Sequence, residues 1–226
     1  MVKNIAIDGP AGAGKSTIAR KLARKLGFRY LDSGAMYRAV TWQALKQEIK
    51  LDDERTLVSL AEGMEIVFLP PAEDGISPLL VGGQDITKEI RQPIIDQNVS
   101  LVAKVKGVRE AMVRQQRKMA STGNIVIDGR DIGTRVLPEA DLKLYITASL
   151  EERSKRRYQE QLFKNPLVNY QEIKNKIIRR DKIDCEREFS PLVKDQDAIL
   201  IDTSNLPIEE VINKIMQLIK DGEHND

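Results

Sequence analysis

Short apolar runs that end on a polar residue recur along the chain, with helical patterns between them. Asn4–Asp8 (NIAID) is the first and predicts a buried strand. From Lys15 to Leu26 the positions Ile18, Leu22 and Leu26 repeat at helical spacing, and Gly27 supplies the stop. Phe28–Asp32 (FRYLD), Asn124–Asp128 (NIVID), Leu142–Thr147 (LKLYIT) and Ala198–Asp202 (AILID) predict further strands. After the last, Ile208, Val211, Ile212, Ile215 and Ile219 form the buried stripe of a closing helix. Such alternation predicts an α/β fold, a five-stranded parallel sheet flanked by helices.

Two stretches break the pattern. Between Met64 and Ile86, MEIVFLP, a Pro/Gly-containing turn and PLLVGGQDI read as antiparallel strands, with Gly82-Gly83 suited to a two-residue hairpin turn. A small antiparallel insertion over residues 62–92, on the edge of one core domain spanning 1–226, is expected. Residues 151–188 are dense in Arg, Lys, Asp and Glu around the weakly apolar LFKNPLVNY. They predict a solvated helical hairpin, and hence a lid region. Tyr170, Trp42, Val99, Val102 and Val105 read as packing residues.

Length and composition narrow the class. With 226 residues, 41% hydrophobic and 31% charged, the chain can bury a core without disulfides or metals. Its net charge of +2 argues against a nucleic-acid partner, and RSKRR (residues 153–157) has acidic flanks. No apolar run nears the roughly 20 residues of a membrane span. Cys185 is the single cysteine, and no signal-peptide pattern precedes Asp8, so a cytoplasmic protein is expected. His224, the single histidine, lies in the polar tail, which disfavours a Ser-His-Asp or His-rich metal site.

The glycine-rich stretch changes the picture most. Gly9-x-x-x-x-Gly14-Lys15-Ser16 has the Walker A spacing, between a strand and a helix. Gly9, Pro10, Ala11, Gly12, Ala13, Gly14, Lys15, Ser16 and Thr17 are assigned to the phosphates of ATP. The glycines let backbone N–H groups turn inward, and the helix adds its N-terminal dipole. Lys15 reaches the β- and γ-phosphates, and the Ser16 hydroxyl sits on Mg²⁺. A P-loop NTPase fold is therefore predicted. Asn-Lys-x-Asp, the guanine signature of Ras-type GTPases, is missing, and the length leaves little room for motor domains, which favours a small kinase.

LDSGAMYR (Leu31 to Arg38) follows the second predicted strand and opens a helix. Ser33 is either the cap of that helix or part of an acceptor site, with Arg38 about one turn further in. IVIDGRDIGT (Ile125 to Thr134) sets Arg130 between Asp128 and Asp131 at a strand's end, where doubly wound folds bind ligands. Its carboxylate neighbours could simply neutralise that arginine.

With IDGPAGAGKST, LDSGAMYR, IDGRDIGT and RRDKIDCEREFSPL together, the chain from about Lys3 to Lys220 resembles bacterial cytidylate kinases, which phosphorylate CMP and dCMP. The resemblance implies that Arg38 and Arg130 hold the acceptor phosphate, with Ser33 close to the nucleotide. It implies that Ser100, Arg109, Asp131 and Arg187 surround the cytosine and that Arg180 and Asp184 approach the ribose. Asp128 is grouped with this CMP side, and a monomer is the family expectation. The chemistry agrees, because a carboxylate accepts from the cytosine N4 amino group while Arg109 and Ser100 donate to N3 or O2. Taken singly, Ser100 could face solvent, and Arg109 or Arg180 could be ordinary surface charges.

The implied reaction is ATP + CMP → ADP + CDP. The acceptor oxygen is already anionic, so positioning and charge neutralisation suffice and no general base is needed. Arg153 and Arg157, at i and i+4 on one helix face, are the expected lid cations, unless they only pair with Glu151 and Glu152 on a solvated helix. The competing functions are a P-loop kinase with another small acceptor and a nucleotide-binding regulatory module without transfer activity.

Overall fold

The structure is a computed structural model that describes residues 2–72, 75–163 and 166–223, with side chains through residue 221. Lys164 and Asn165 of the charged hairpin and His224 of the tail lie outside the described residues. The elements run β1 (Asn4–Asp8), α1 (Lys15–Leu26), β2 (Arg29–Asp32), α2 (Ser33–Lys46), α3 (Glu54–Gly63), β3 (Ile66–Phe68), β4 (Leu79–Val81) and β5 (Gln84–Asp85). Next come α4 (Pro93–Ala103), α5 (Lys106–Ala120), β6 (Ile125–Asp128), a π-helical turn (Ile132–Val136) and β7 (Leu142–Thr147). α6 (Leu150–Leu162), α7 (Tyr170–Glu186), β8 (Ile199–Asp202) and α8 (Ile208–Glu223) follow.

The sheet order is β2-β6-β1-β7-β8, and β1 pairs in parallel with both β6 and β7, as β7 does with β8. Ile5, Ile7, Val126 and Ile127 are sealed from solvent. Both faces of β1 and β6 are covered, so these strands read as continuous apolar runs rather than alternating ones. Each such isoleucine contributes about 1.5–3 kcal/mol by burial. β3, β4 and β5 form a separate antiparallel sheet in which Gly82 and Gly83 make the β4–β5 turn at positive φ. Val99, Val102 and Val105 are buried, as packing residues should be.

By contact density the chain divides into two compact units, Met1–Arg29 with Gly123–Asp226, and Tyr30–Thr122. In the first, α6 and α7 pack on each other and α8 packs on α1. In the second, α2 packs on α4 and α3 on α5. The start of α2 corrects one expectation. The cap is the Asp32 carboxylate, which accepts from the Ala35 N–H at 2.9 Å, so Ser33 does not cap but lies buried as the first helical residue. Asp32 is already placed by β2, and its side chain reaches the Ala35 amide, which has no partner within the helix.

Gly9 shows how tightly β1 leads into the glycine-rich loop. Its φ is +143°, and an added Cβ would lie 1.9 Å from the Ile146 carbonyl oxygen on β7. A backbone atom cannot swing aside as a side chain does. Gly9→Ala is therefore expected to destabilise the fold by about 3–5 kcal/mol, read from the urea midpoint. A midpoint within about 1 kcal/mol of the parent would contradict this packing.

Candidate functional site

The carboxyl ends of neighbouring strands β1 and β6 carry the two loops that sequence singles out. From β1 the chain turns through Gly9, Gly12 at φ +78° and Gly14 at φ +88°, then enters α1. No side chain caps α1 and no acidic residue occupies its first turn, which leaves its amides and dipole for an anion. The Lys15 ammonium donates to the Pro10 carbonyl at 2.7 Å, and the residue is 5% exposed. Burial, and after it the nearby Arg130 guanidinium, pushes Lys15 down to about 7. An arriving phosphate would reverse that pressure. Ser16 Oγ donates to Asp128 Oδ2 at 2.8 Å.

No cluster of three or more metal-ligating His, Cys, Asp or Glu side chains occurs among the described residues. The Ser16 hydroxyl and the Asp128 carboxylate are nonetheless two hard oxygen donors side by side. Mg²⁺ takes such donors beside phosphate oxygens and waters, so the pair fits this ion.

Arg130 leaves the end of β6 and donates from Nε to Asp184 Oδ2 at 2.8 Å, and from Nη1 to the Gly129 carbonyl at 3.1 Å. Burial works against the Arg130 charge, but Asp184 and Asp128 overcome it and raise its pKa. Burial likewise opposes the Asp184 charge. Arg130, Arg180 and Arg187 outweigh that and hold the carboxyl below its ordinary range. Arg187 Nη1 stands 3.9 Å from Asp184 Oδ1, while its Nε donates to the Ser190 carbonyl at 2.5 Å. Asp131 is buried at the head of the π-helical turn. The structure thus brings Lys15, Ser16, Asp128, Arg130, Asp131, Arg180, Asp184 and Arg187 to one end of the first unit's sheet, from the start of α1, the end of β6 and the turn after it, and α7 with its C-cap.

The two expected lid arginines separate. Arg153 is buried and donates to the carbonyls of Ala148 at 3.0 Å and Ala11 at 3.1 Å, and to Asp181 at 2.5 Å. It touches the phosphate loop itself. Arg157 pairs with Glu160 at 3.0 Å, and its side chain is 37% exposed. Glu152 does pair within the helix, but with Arg156, whose other nitrogens donate to Thr203 Oγ1 at 3.1 Å and to its carbonyl at 2.6 Å. Glu151 pairs with Lys174 of α7 at 2.8 Å.

In the second unit, Arg38 pairs with Asp96 of α4 at 2.5 Å. Ser100, one turn along from Asp96, is partly buried. Arg109 is no surface charge. It is 1% exposed, donates to the Ala103 carbonyl at 3.0 Å and lies with its guanidinium carbon 5.0 Å from the Tyr37 ring centre.

Sequence reasoning passed over four groups in this chemistry: Asp8, Asp96, Asp181 and Arg156. For Asp8 the signal was present, since a carboxylate ends a strand that is otherwise apolar. Asp96 and Asp181 are fixed by partners distant in sequence, and Arg156 by Thr203 as well as by Glu152 one turn back.

The family model described as cytidylate kinase matches residues 5–221. A cytidylate kinase of Bacillus velezensis is 51% identical over 217 residues, 96% of each chain. One of Caldanaerobacter subterraneus subsp. tengcongensis is 50% identical over 96% of this chain and 94% of its own. One of Carboxydothermus hydrogenoformans is 48% identical over 98% of each. Among solved structures, a shikimate kinase from Acinetobacter baumannii, in complex with shikimate, superposes with TM-score 0.50 at 19% identity, covering 98% of this chain and 94% of that one. An uncharacterised protein from Eubacterium ventriosum gives TM-score 0.54 at 15% identity over 96% and 98%. These last two likenesses are of fold.

Proposed function

The chain belongs to the cytidylate kinase family, and from that footing we propose that it transfers the γ-phosphoryl group of ATP, held with Mg²⁺, to CMP and dCMP, yielding CDP and dCDP for pyrimidine nucleotide metabolism. The observation that carries the reading is the set of cations at the phosphate loop, Lys15 buried and Arg130 and Arg180 half-buried. Arg130 and Arg180 lie close enough to Lys15 for their charges to depress it. Asp128 and Asp184 balance these cations only in part, and Lys15 stays depressed, so a further anion is favoured. Two phosphate groups are such an anion.

In this reading the loop amides from Gly9 to Thr17 and Lys15 hold the donor phosphates. Ser16, bonded to Asp128, would hold Mg²⁺, which would supply charge neutralisation at the phosphates. Arg38 and Arg130 hold the acceptor phosphate, and Ser33 lies near the nucleotide. An oxygen of that phosphate attacks the γ-phosphorus in line as the bond from γ-phosphorus to the bridging β-oxygen breaks. The attacking oxygen carries no proton to remove, so these residues need only orient it and neutralise charge. Arg153 is assigned to the transferring group, with Arg157 further along the same helix. Asp131 accepts from the cytosine N4 amino group, Arg109, Ser100 and Arg187 complete the base contacts, and Arg180 and Asp184 take the ribose.

The test is ADP formation from MgATP with CMP, dCMP, UMP, AMP and GMP, against a control without acceptor. CMP and dCMP should turn over fast and UMP slowly, because uracil leaves polar groups unpaired at about 1–3 kcal/mol each. AMP and GMP should be inert. Activity with AMP or GMP would overturn the base assignments. ADP release that ignores the acceptor would overturn transfer altogether. No helix among the described residues is long and apolar enough to cross a membrane, and the enzyme is taken to act as a cytoplasmic monomer on these small molecules.

A further inference from the structure

Asp8, the last residue of β1, has no part in the transfer described above, yet it is 5% exposed and fully engaged. Its Oδ1 accepts the Ile132 N–H and its Oδ2 the Gly133 N–H, both at 2.8 Å. One residue earlier, the Ile7 carbonyl accepts the Gly129 N–H at 2.9 Å. Two consecutive residues of β1 therefore pin the loop on either side of Arg130 and Asp131. The peptide joining Asp131 to Ile132 is bonded at both ends. Its carbonyl accepts from Arg135 at 2.9 Å and Val136 at 3.2 Å, and its N–H is held by Asp8. That fixes the peptide plane, and with it the direction in which Asp131 leaves the chain.

We propose that Asp8 is a positioning residue for acceptor recognition, a two-pronged clamp that sets Arg130 and Asp131 from the strand that also launches the phosphate loop. The inference rests on the assignment of Arg130 and Asp131 to CMP. Its chemistry needs a carboxylate, because two N–H donors on two oxygens require both oxygens to accept. An asparagine at this place offers one acceptor and turns an NH₂ toward the second amide.

The cost of the clamp separates it from a purely structural device. Burial raises Asp8 to about 6, with Asp131 adding to the rise and Lys15 and the two amides opposing it. Tyr145 also feels its charge, and the Lys143 stem lies beside Gly133. A folded pKa above the ordinary 3.8 means that Asp8 favours folding most below about 4, and that this contribution is lost as pH rises through about 6. At pH 7.5 the carboxylate is thus held at the expense of stability.

Asp8→Asn is accordingly expected to raise KM for CMP at least tenfold, to narrow the preference for CMP over UMP, and to change the ATP dissociation constant less than twofold. Unchanged KM and selectivity would overturn the clamp. So would equal losses for ATP and CMP accompanied by a lower Tm. Arg130→Met run in parallel separates the two claims. If it too leaves KM for CMP unchanged, the acceptor assignment fails. If it raises KM and Asp8→Asn does not, only the clamp fails. Should Asp8→Asn not fold, the parent protein still decides by NMR. The Ile132 and Gly133 amide signals should move with the Asp8 carboxyl carbon through one shared midpoint, and amides that do not follow it overturn the clamp.

Discussion

Arg153→Ala is expected to lower kcat by about 10³–10⁵-fold at saturating MgATP and CMP, the range for an arginine that meets the charge of a transferring phosphoryl group. The expectation rests on location. Arg153 already touches the phosphate loop through the Ala11 carbonyl, and its carboxylate partner is Asp181. Exchanging that carboxylate for a phosphoryl oxygen requires only a short movement of a long side chain. Arg157 starts exposed and bound to Glu160 on its own helix, so Arg157→Ala should cost only a few-fold. Stopped-flow or coupled-assay turnover of both variants checks the order. A larger loss from Arg157 would exchange their roles. Because Arg153 also satisfies the Ala148 and Ala11 carbonyls, Tm belongs beside kcat, and a melted Arg153→Ala protein would trace the loss to folding.

The second large effect belongs to Arg130. Removing it takes a cation from the acceptor and leaves the buried Asp184 to Arg180 and Arg187. Losing a desolvated charge contact with the acceptor phosphate costs about 2–5 kcal/mol, tens to several thousand-fold in kcat/KM for CMP. ATP affinity should stay near the parent's. Arg130→Lys should not restore activity, because an ammonium cannot bind Asp184 through Nε and keep a fork for phosphate. Full rescue by lysine, or an equal loss in ATP binding, would contradict the acceptor role.

Local pattern carried much of this into view before any coordinates. β1, α1 and β7 begin and end where the apolar runs and the glycine stop indicate, and β2, β6 and β8 are each one residue shorter at their starts. These features are legible because they depend on neighbours in sequence. Pairings such as Arg38 with Asp96, Arg153 with Asp181 and Asp8 with the Ile132 amide depend on how the chain returns upon itself, which no local period records. Arg109 is intermediate. Charge alone reads as solvated, but Arg109 stands three residues before Met112 and seven before Gln116, on the buried stripe of α5. Helical spacing would have placed it inside. The lid pair shows the opposite limit, since an i, i+4 relation puts Arg153 and Arg157 on one face and says nothing of what each end of that face meets.

Arg38, Arg130 and Arg153 each hold a carboxylate, Asp96, Asp184 and Asp181 respectively. If they hold phosphates as proposed, ligand capture is an exchange of one anion for another. A singly charged carboxylate from solution gains nothing over the aspartate it would replace, whereas a phosphate dianion with three oxygens does. On the proposed assignment, monocarboxylates such as acetate should therefore compete poorly at these arginines, through a threshold built from ordinary ion pairs.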